Sequence, residues 1–109
     1  MEPHFNLWIE HNEVVVLSEW RVRMLEMIDQ TGSISRAADK MNVTYHRAWE
    51  KLHEMEEGLG FKLVDAQVGG VHGGGAELTP QGRDLINKFR TFSRGLEDEI
   101  EQRFARAFP

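Results

Sequence analysis

Cysteine is absent from the 109 residues, so neither a disulfide framework nor a thiolate metal site can be built from this chain. That composition suits a reducing compartment, and a cytoplasmic location is expected. Long hydrophobic runs are missing too. No stretch approaches the roughly 20 apolar residues of a membrane span, and the N-terminal MEPHFNLWIEHNE has neither a basic start nor an apolar core of signal-peptide length. A soluble, unexported chain without a membrane partner is expected. There is no basic excess either: 13 Lys and Arg against 18 Asp and Glu give a formal net charge of −5, which argues against a protein that holds nucleic acid by bulk charge. Finally, no nucleophile, base and orienting residue can be assembled into a catalytic set, so an enzyme is the weakest class, and no cofactor is implied. What is present fills one hydrophobic core, with 40% hydrophobic and 9% aromatic residues, and predicts a single domain.

The informative stretch runs from Gly32 to Val64, GSISRAADKMNVTYHRAWEKLHEMEEGLGFKLV. Ser35 is expected to cap a short helix with Ala37, Ala38 and Met41 on one side, and Asn42 tolerates the left-handed backbone of a tight turn. Val43 plugs the corner. Thr44 caps a second helix whose apolar positions Tyr45, Ala48, Trp49, Leu52 and Met55 recur at helical spacing, leaving His46, Arg47, Glu50, Lys51 and His53 outward. This is the layout of a helix-turn-helix, although any small helical domain can contain two helices and a short turn. Gly60 stops the second helix, and FKLVDA, residues 61–66, reads as a strand. The following QVGGVHGGGAELT places five glycines between strand-like runs, which predicts a wing hairpin. The amides of Gly69, Gly70, Gly73, Gly74 and Gly75, with His72, would approach phosphates where side chains would interfere; a plain flexible surface hairpin is the alternative. A phosphate-binding P-loop fails, because no Gly-Lys-Ser or Gly-Lys-Thr follows.

SRAADKMNVT, the Glu56-Glu57 pair, Leu59-Gly60 and FKLV together resemble the N-terminal DNA-binding domain of LysR-type regulators. The Tyr45-x-x-Ala48-Trp49 element, the GG…GGGA wing and LTPQG narrow the resemblance to the molybdate-responsive regulator family, ModE, over roughly residues 18–96. The resemblance implies a homodimeric, cytoplasmic transcription factor that binds an operator in double-stranded DNA. It further implies that Ser33, Ser35 and Arg36 contact phosphates, and that Thr44, Tyr45, His46, Arg47 and Lys51 read or anchor the duplex together with Gly70, His72 and Gly73 of the wing. The expected function is sequence-specific regulation of molybdate or other metal- and oxyanion-related genes. In full-length members a C-terminal pair of β-rich modules holds the oxyanion; nothing of that kind is in the sequence, so either a separate partner protein binds the effector or the protein is governed by its concentration alone. Two other classes stay open: a protein-interaction adaptor on the same fold, and a direct binder of a small oxyanion at the glycine wing.

Upstream, FNLWIE and EVVVL flank His11-Asn12 as a hairpin, and Ser18 caps a helix to Thr31 with Met24, Leu25 and Ile28 inward and Gly32 as its stop. Trp8 and Trp20 are expected as core or interface filler. Downstream, Thr79-Pro80 starts a helix expected to continue close to the C-terminus. Along it Leu85, Phe89, Phe92, Leu96, Ile100, Phe104 and Phe108 form a stripe too long for one small domain to cover, so a second copy is expected to pack against it; folding back onto the monomer is the alternative. The fold class is α+β, mainly α: a winged helix-turn-helix with an N-terminal hairpin (1–17), the helix-turn-helix and wing (18–79) and a long dimerisation helix (80–109). His46, Glu50 and His53 share a helix face and could converge on zinc or nickel, but no fourth ligand is evident and no metal is assigned.

Overall fold

The computed structural model describes residues 1–67 and 75–109. Strands β1 (Trp8–His11) and β2 (Val14–Ser18) pair antiparallel, with a bulge between Ile9 and Glu10. The turn is one residue later than the sequence suggests. Asn12 and Glu13, at φ 52° and 67°, take the two left-handed positions that a twisted two-residue hairpin needs. Helix α1 (Glu19–Thr31) begins where the Ser18 hydroxyl accepts the Arg21 amide at 3.2 Å, and it ends at Gly32, whose φ of 70° lets its N–H donate to the Ile28 carbonyl.

Helix α2 (Ile34–Lys40) is capped by Ser33, not Ser35. The Ser33 hydroxyl accepts the Arg36 amide at 3.2 Å, and the reason is Ile34: its side chain is buried, so it must enter the first helical turn. Asn42 sits at φ 57° and Val43 packs its side chain against the core, as the turn requires. Helix α3 (Tyr45–Leu59) starts at Thr44, whose hydroxyl accepts the Arg47 amide at 3.1 Å, and stops at Gly60, φ 83°. Ala37, Ala38 and Ala48 are all buried, and their small side chains let the two helices approach closely at the turn.

Strands β3 (Val64–Gln67) and β4 (Gly75–Leu78) pair antiparallel from Val64 opposite Leu78 to Gln67 opposite Gly75. The strand expected over residues 61–66 therefore starts later. Its first backbone groups are already engaged: Glu56 accepts the Leu63 and Val64 amides at 2.7 and 3.2 Å, while Thr79 donates its hydroxyl to the Lys62 carbonyl and its amide to the Leu63 carbonyl. The Ala76 amide ties β4 to the Gly32 carbonyl at 2.9 Å.

Helix α4 (Pro80–Ser93) is capped by the Thr79 hydroxyl, which accepts the Gly82 amide at 3.0 Å, with Pro80 in the first turn. It is clamped to α1 twice. Arg83 reaches both Asp29 oxygens at 2.9 and 3.0 Å, and Arg90 forks onto Glu26 while also meeting Glu19 at 2.7 Å. Donation of the Arg90 guanidinium to the Glu26 carboxylate, with Glu19 as a further acceptor, pushes the Arg90 pKa further up despite the opposing effect of burial.

The single helix expected to the C-terminus is interrupted. α4 gives way at Arg94, Gly95 follows at φ 80°, and α5 (Leu96–Ala107) begins after it. Phe89, only 2% exposed, lies in the monomer core, so its side chain is spent within one chain, whereas Leu85 packs against that core and stays partly exposed. Phe92 remains 58% exposed, and Leu96, Ile100 and Phe104 are half-buried. Along α5 the Arg103 guanidinium donates to Glu99 at 2.8 Å and holds that carboxyl below its ordinary range. The radius of gyration is 16.3 Å, against about 13 Å for a compact chain of this length. The 60 Å long axis shows the same elongation.

Candidate nucleic-acid interface

α3 has one face in the core and one in solvent. Ala48, Leu52 and Met55 are buried; Tyr45, His46, Arg47, Trp49 and Glu50 are exposed. His46 and Glu50 meet at 3.3 Å across one turn. His53 donates from Nδ1 to the Trp49 carbonyl at 2.8 Å, which turns that ring to its own helix instead of toward a shared metal with His46. No group of three metal-ligating side chains occurs among the described residues.

Arg47 and Lys51 line one side of an open cleft of about 620 Å³ between the hairpin, α1 and α3, together with Trp8, Trp20, Arg21 and Arg23. The cleft therefore gathers cations on a chain whose net charge is −5. Glu54 partly offsets them: it accepts Arg21 at 3.0 Å and pairs with Lys51 at 3.5 Å. Arg21 also donates to the Lys51 carbonyl at 3.4 Å, so a buried guanidinium braces the middle of α3 from beneath. Arg47 carries no side-chain hydrogen bond or ion pair within the described residues, which leaves its five donors for a ligand.

Ser35 and Arg36 are exposed in the first turn of α2, whereas the Ser33 hydroxyl is already occupied by capping. Arg36 lies in a separate shallow depression with Thr31, Asp39 and Lys40, so the structure does not gather it with Arg47 and Lys51. Thr44 is exposed, and its hydroxyl is likewise the cap of α3. Gly69, Gly70, His72, Gly73 and Gly74 lie outside the described residues; Gly75 opens β4 opposite Gln67.

Sequence periodicity placed Tyr45 and Trp49 with the inward set, but they are 52% and 41% exposed. The arc of α3 that meets its neighbours is already filled by Ala48, Leu52 and Met55, and the two aromatics fall on its flank. Trp8, 51% exposed, is likewise at the cleft mouth and not in the core, whereas Trp20 is half-buried against it. Arg21, which holds α3 in place, gave no local signal in the sequence because its partners are distant along the chain, and the role of Glu56 in holding the start of β3 does not follow from helical spacing.

Residues 21–83, from α1 through the start of α4, match the family described as bacterial regulatory helix-turn-helix protein, lysR family. The molybdenum transport protein ModE of Azotobacter vinelandii is 39% identical over 86 residues, covering 79% of this chain and 32% of that protein. The DNA-binding transcriptional dual regulator ModE of Escherichia coli (strain K12) is 38% identical over 89 residues, covering 82% of this chain and 34% of that protein. The chain spans about a third of the length of these relatives. In fold it is similar to Vibrio fischeri DarR solved in complex with DNA, at TM-score 0.63 and 23% identity over 84% of this chain and 30% of that one. A solved CbnR DBD–DNA complex gives TM-score 0.63 at 20% identity, covering 82% of this chain and 98% of that one. With the capped helix-turn-helix, the paired β3–β4 and a family match over more than half its residues, the chain belongs to the LysR family of bacterial regulatory helix-turn-helix proteins.

Proposed function

We propose that this chain is the operator-binding unit of a transcriptional regulator, acting on double-stranded DNA in the bacterial cytoplasm by binding and not by catalysis. The observation that carries the reading is α3 itself, whose capped N-terminal turns present His46, Arg47 and Glu50 to solvent while the opposite face is fixed in the core. A helix so mounted fits the major groove. Arg47 is the base reader, forking onto a guanine edge, and Lys51 anchors a phosphate. Ser35 and Arg36 at the start of α2 add backbone contacts on the neighbouring strand. The relatives named for molybdenum suggest molybdenum- or oxyanion-related genes as the regulated set, with the effector sensed outside residues 1–109.

The regulator works as a homodimer. Support comes from apolar residues that one copy leaves partly in solvent: Phe92 near the end of α4 and Phe108 just after α5, each 58% exposed, with Leu96, Ile100 and Phe104 of α5 half-buried. Residues 1–17 serve as a hairpin buttress, 18–79 as the reading head, and 80–109 as the dimerising arm. Pairing of two arms would set two reading helices about 34 Å apart, one DNA turn.

Fluorescence anisotropy against the DNA upstream of its own gene neighbourhood, beside a scrambled duplex and across a salt series, tests the reading. Preference for the native sequence, with affinity falling steeply as salt rises, is expected. A flat titration at low salt would reject it in favour of a protein-interaction adaptor. Running the series with and without molybdate shows whether that anion acts on these residues directly.

A further inference from the structure

The motif tryptophan of α3 is left unexplained by packing. Trp49 sits mid-helix, 41% exposed, and one of its ring faces is covered by the His53 imidazole at 3.8 Å between centroids and 24° between planes. His53 is itself pinned by its hydrogen bond to the Trp49 carbonyl at 2.8 Å. The indole is thus held in place while much of it stays in water. One turn earlier, Tyr45 is 52% exposed on the same side of the helix. The exposed arc of α3 is therefore divided: an aromatic flank of Tyr45 and Trp49, a crest of paired His46 and Glu50, and a cationic flank of Arg47 and Lys51.

We propose that Trp49, with Tyr45 beside it, reads thymine in the operator through the C5 methyl group. This rests on the reading of α3 as the major-groove helix. Among the groups that base pairs present in that groove, the thymine methyl is the apolar one. Charged and hydrogen-bonding side chains gain little from it, whereas an indole held against its own helix can bury it without losing rotamer freedom on binding, because His53 already restrains the ring. The stack is a positioning device, and the indole is the contact. Arg47 would then select guanine on one flank while the aromatic pair selects thymine on the other, so that one helix turn distinguishes two kinds of base by two kinds of chemistry.

The test uses the whole chain and a preferred duplex selected from a random library. Each thymine in turn is replaced by deoxyuridine, which removes the methyl and nothing else. At one or two positions per half-site the wild-type protein should bind roughly fourfold more weakly for each methyl no longer buried. Trp49→Ala should bind the thymine duplex more weakly and be indifferent to the same replacements, while Trp49→Phe should keep part of the dependence. Should Trp49→Ala fail to fold, 5-iododeoxyuridine at the sensitive position supplies a direct measurement: irradiation should crosslink it to the peptide containing residues 45–53. Intact, sequence-selective binding with no deoxyuridine effect at any position would overturn the proposal alone. Absence of binding to any duplex would overturn it together with the DNA-binding reading.

Discussion

Gly82 offers the sharpest test of how the reading head is joined to its arm. It is buried in the first turn of α4, and a Cβ placed there would lie 2.4 Å from the Leu63 carbonyl oxygen and 3.3 Å from its carbon, both backbone atoms. That is roughly 1 Å inside normal contact, and a main-chain carbonyl cannot swing aside as a side-chain tip would. In Gly82→Ala the helix start must lift away, and the two bonds from Thr79, its amide to Leu63 and its hydroxyl to Lys62, at 2.9 and 2.8 Å, stretch with it. Overpacking of this kind costs about 1 to 3 kcal/mol, and weakening two hydrogen bonds adds about 1 kcal/mol each. The better helix propensity of alanine returns at most about 1 kcal/mol. The net expectation is a loss of about 2 to 4 kcal/mol, or a melting temperature lower by at least about 8 °C. Urea denaturation followed by circular dichroism, with both proteins at the same concentration, reads it as a lower midpoint at unchanged slope. A variant that unfolds at the same or higher urea concentration would refute the argument, since propensity would then outweigh the close approach.

Arg47→Ala is expected to bind cognate and scrambled duplexes about equally, losing about 1 to 3 kcal/mol of discrimination in the anisotropy assay; an unchanged preference ratio would remove it as the base reader. Lys51→Ala should weaken all duplexes alike and shallow the salt slope by about one unit, so a collapse of sequence preference there would make Lys51 the reader instead. Glu56→Ala takes the acceptor from two partly buried amides, those of Leu63 and Val64, and should lower stability by about 2 to 3 kcal/mol in the same urea assay; a change under about 0.5 kcal/mol, the range of an ordinary surface substitution, would mean those amides find other acceptors. Phe104→Asp places a charge among the half-buried apolar residues of α5 and should shift sedimentation from dimer to monomer with the melting of the reading head little changed; sedimentation identical to wild type would move the interface elsewhere.

Features set by one residue's backbone requirement were legible in the sequence. Ser18, Thr44 and Thr79 cap the helices expected of them, Gly32 and Gly60 stop theirs, and Asn42 takes the left-handed turn position, because each answers a local need for a donor, an acceptor or a positive φ. Between Ser33 and Ser35 local chemistry could not choose; the buried side chain of Ile34 did. Gly95 was overlooked for a related reason. The apolar steps from Phe92 to Leu96 and Ile100 carry straight across it, so the periodic pattern hid the left-handed residue between α4 and α5. On α3, spacing identified the apolar residues but not how wide an arc its neighbours could cover, and Tyr45 and Trp49 fell outside it. The bracing of α3 by Arg21 and of α4 by Arg90 joins residues far apart in the chain, and nothing adjacent to them announces it.

The interruption at Gly95 divides the arm into two halves held in different ways. α4 is fixed to the head by Gly82 against Leu63 and by the Arg83 and Arg90 forks onto α1, whereas α5 faces the N-terminal segment Met1–Phe5 across an open cleft, and no hydrogen bond or ion pair ties it to another element among the described residues. A pair of such chains would be jointed callipers instead of a rigid bracket, and the gap between their points would be adjusted at two dihedral angles. Tolerance for half-sites of unequal spacing would then reside in a residue that touches no base, and replacing it would tune which operators are accepted without altering how any single half-site is read.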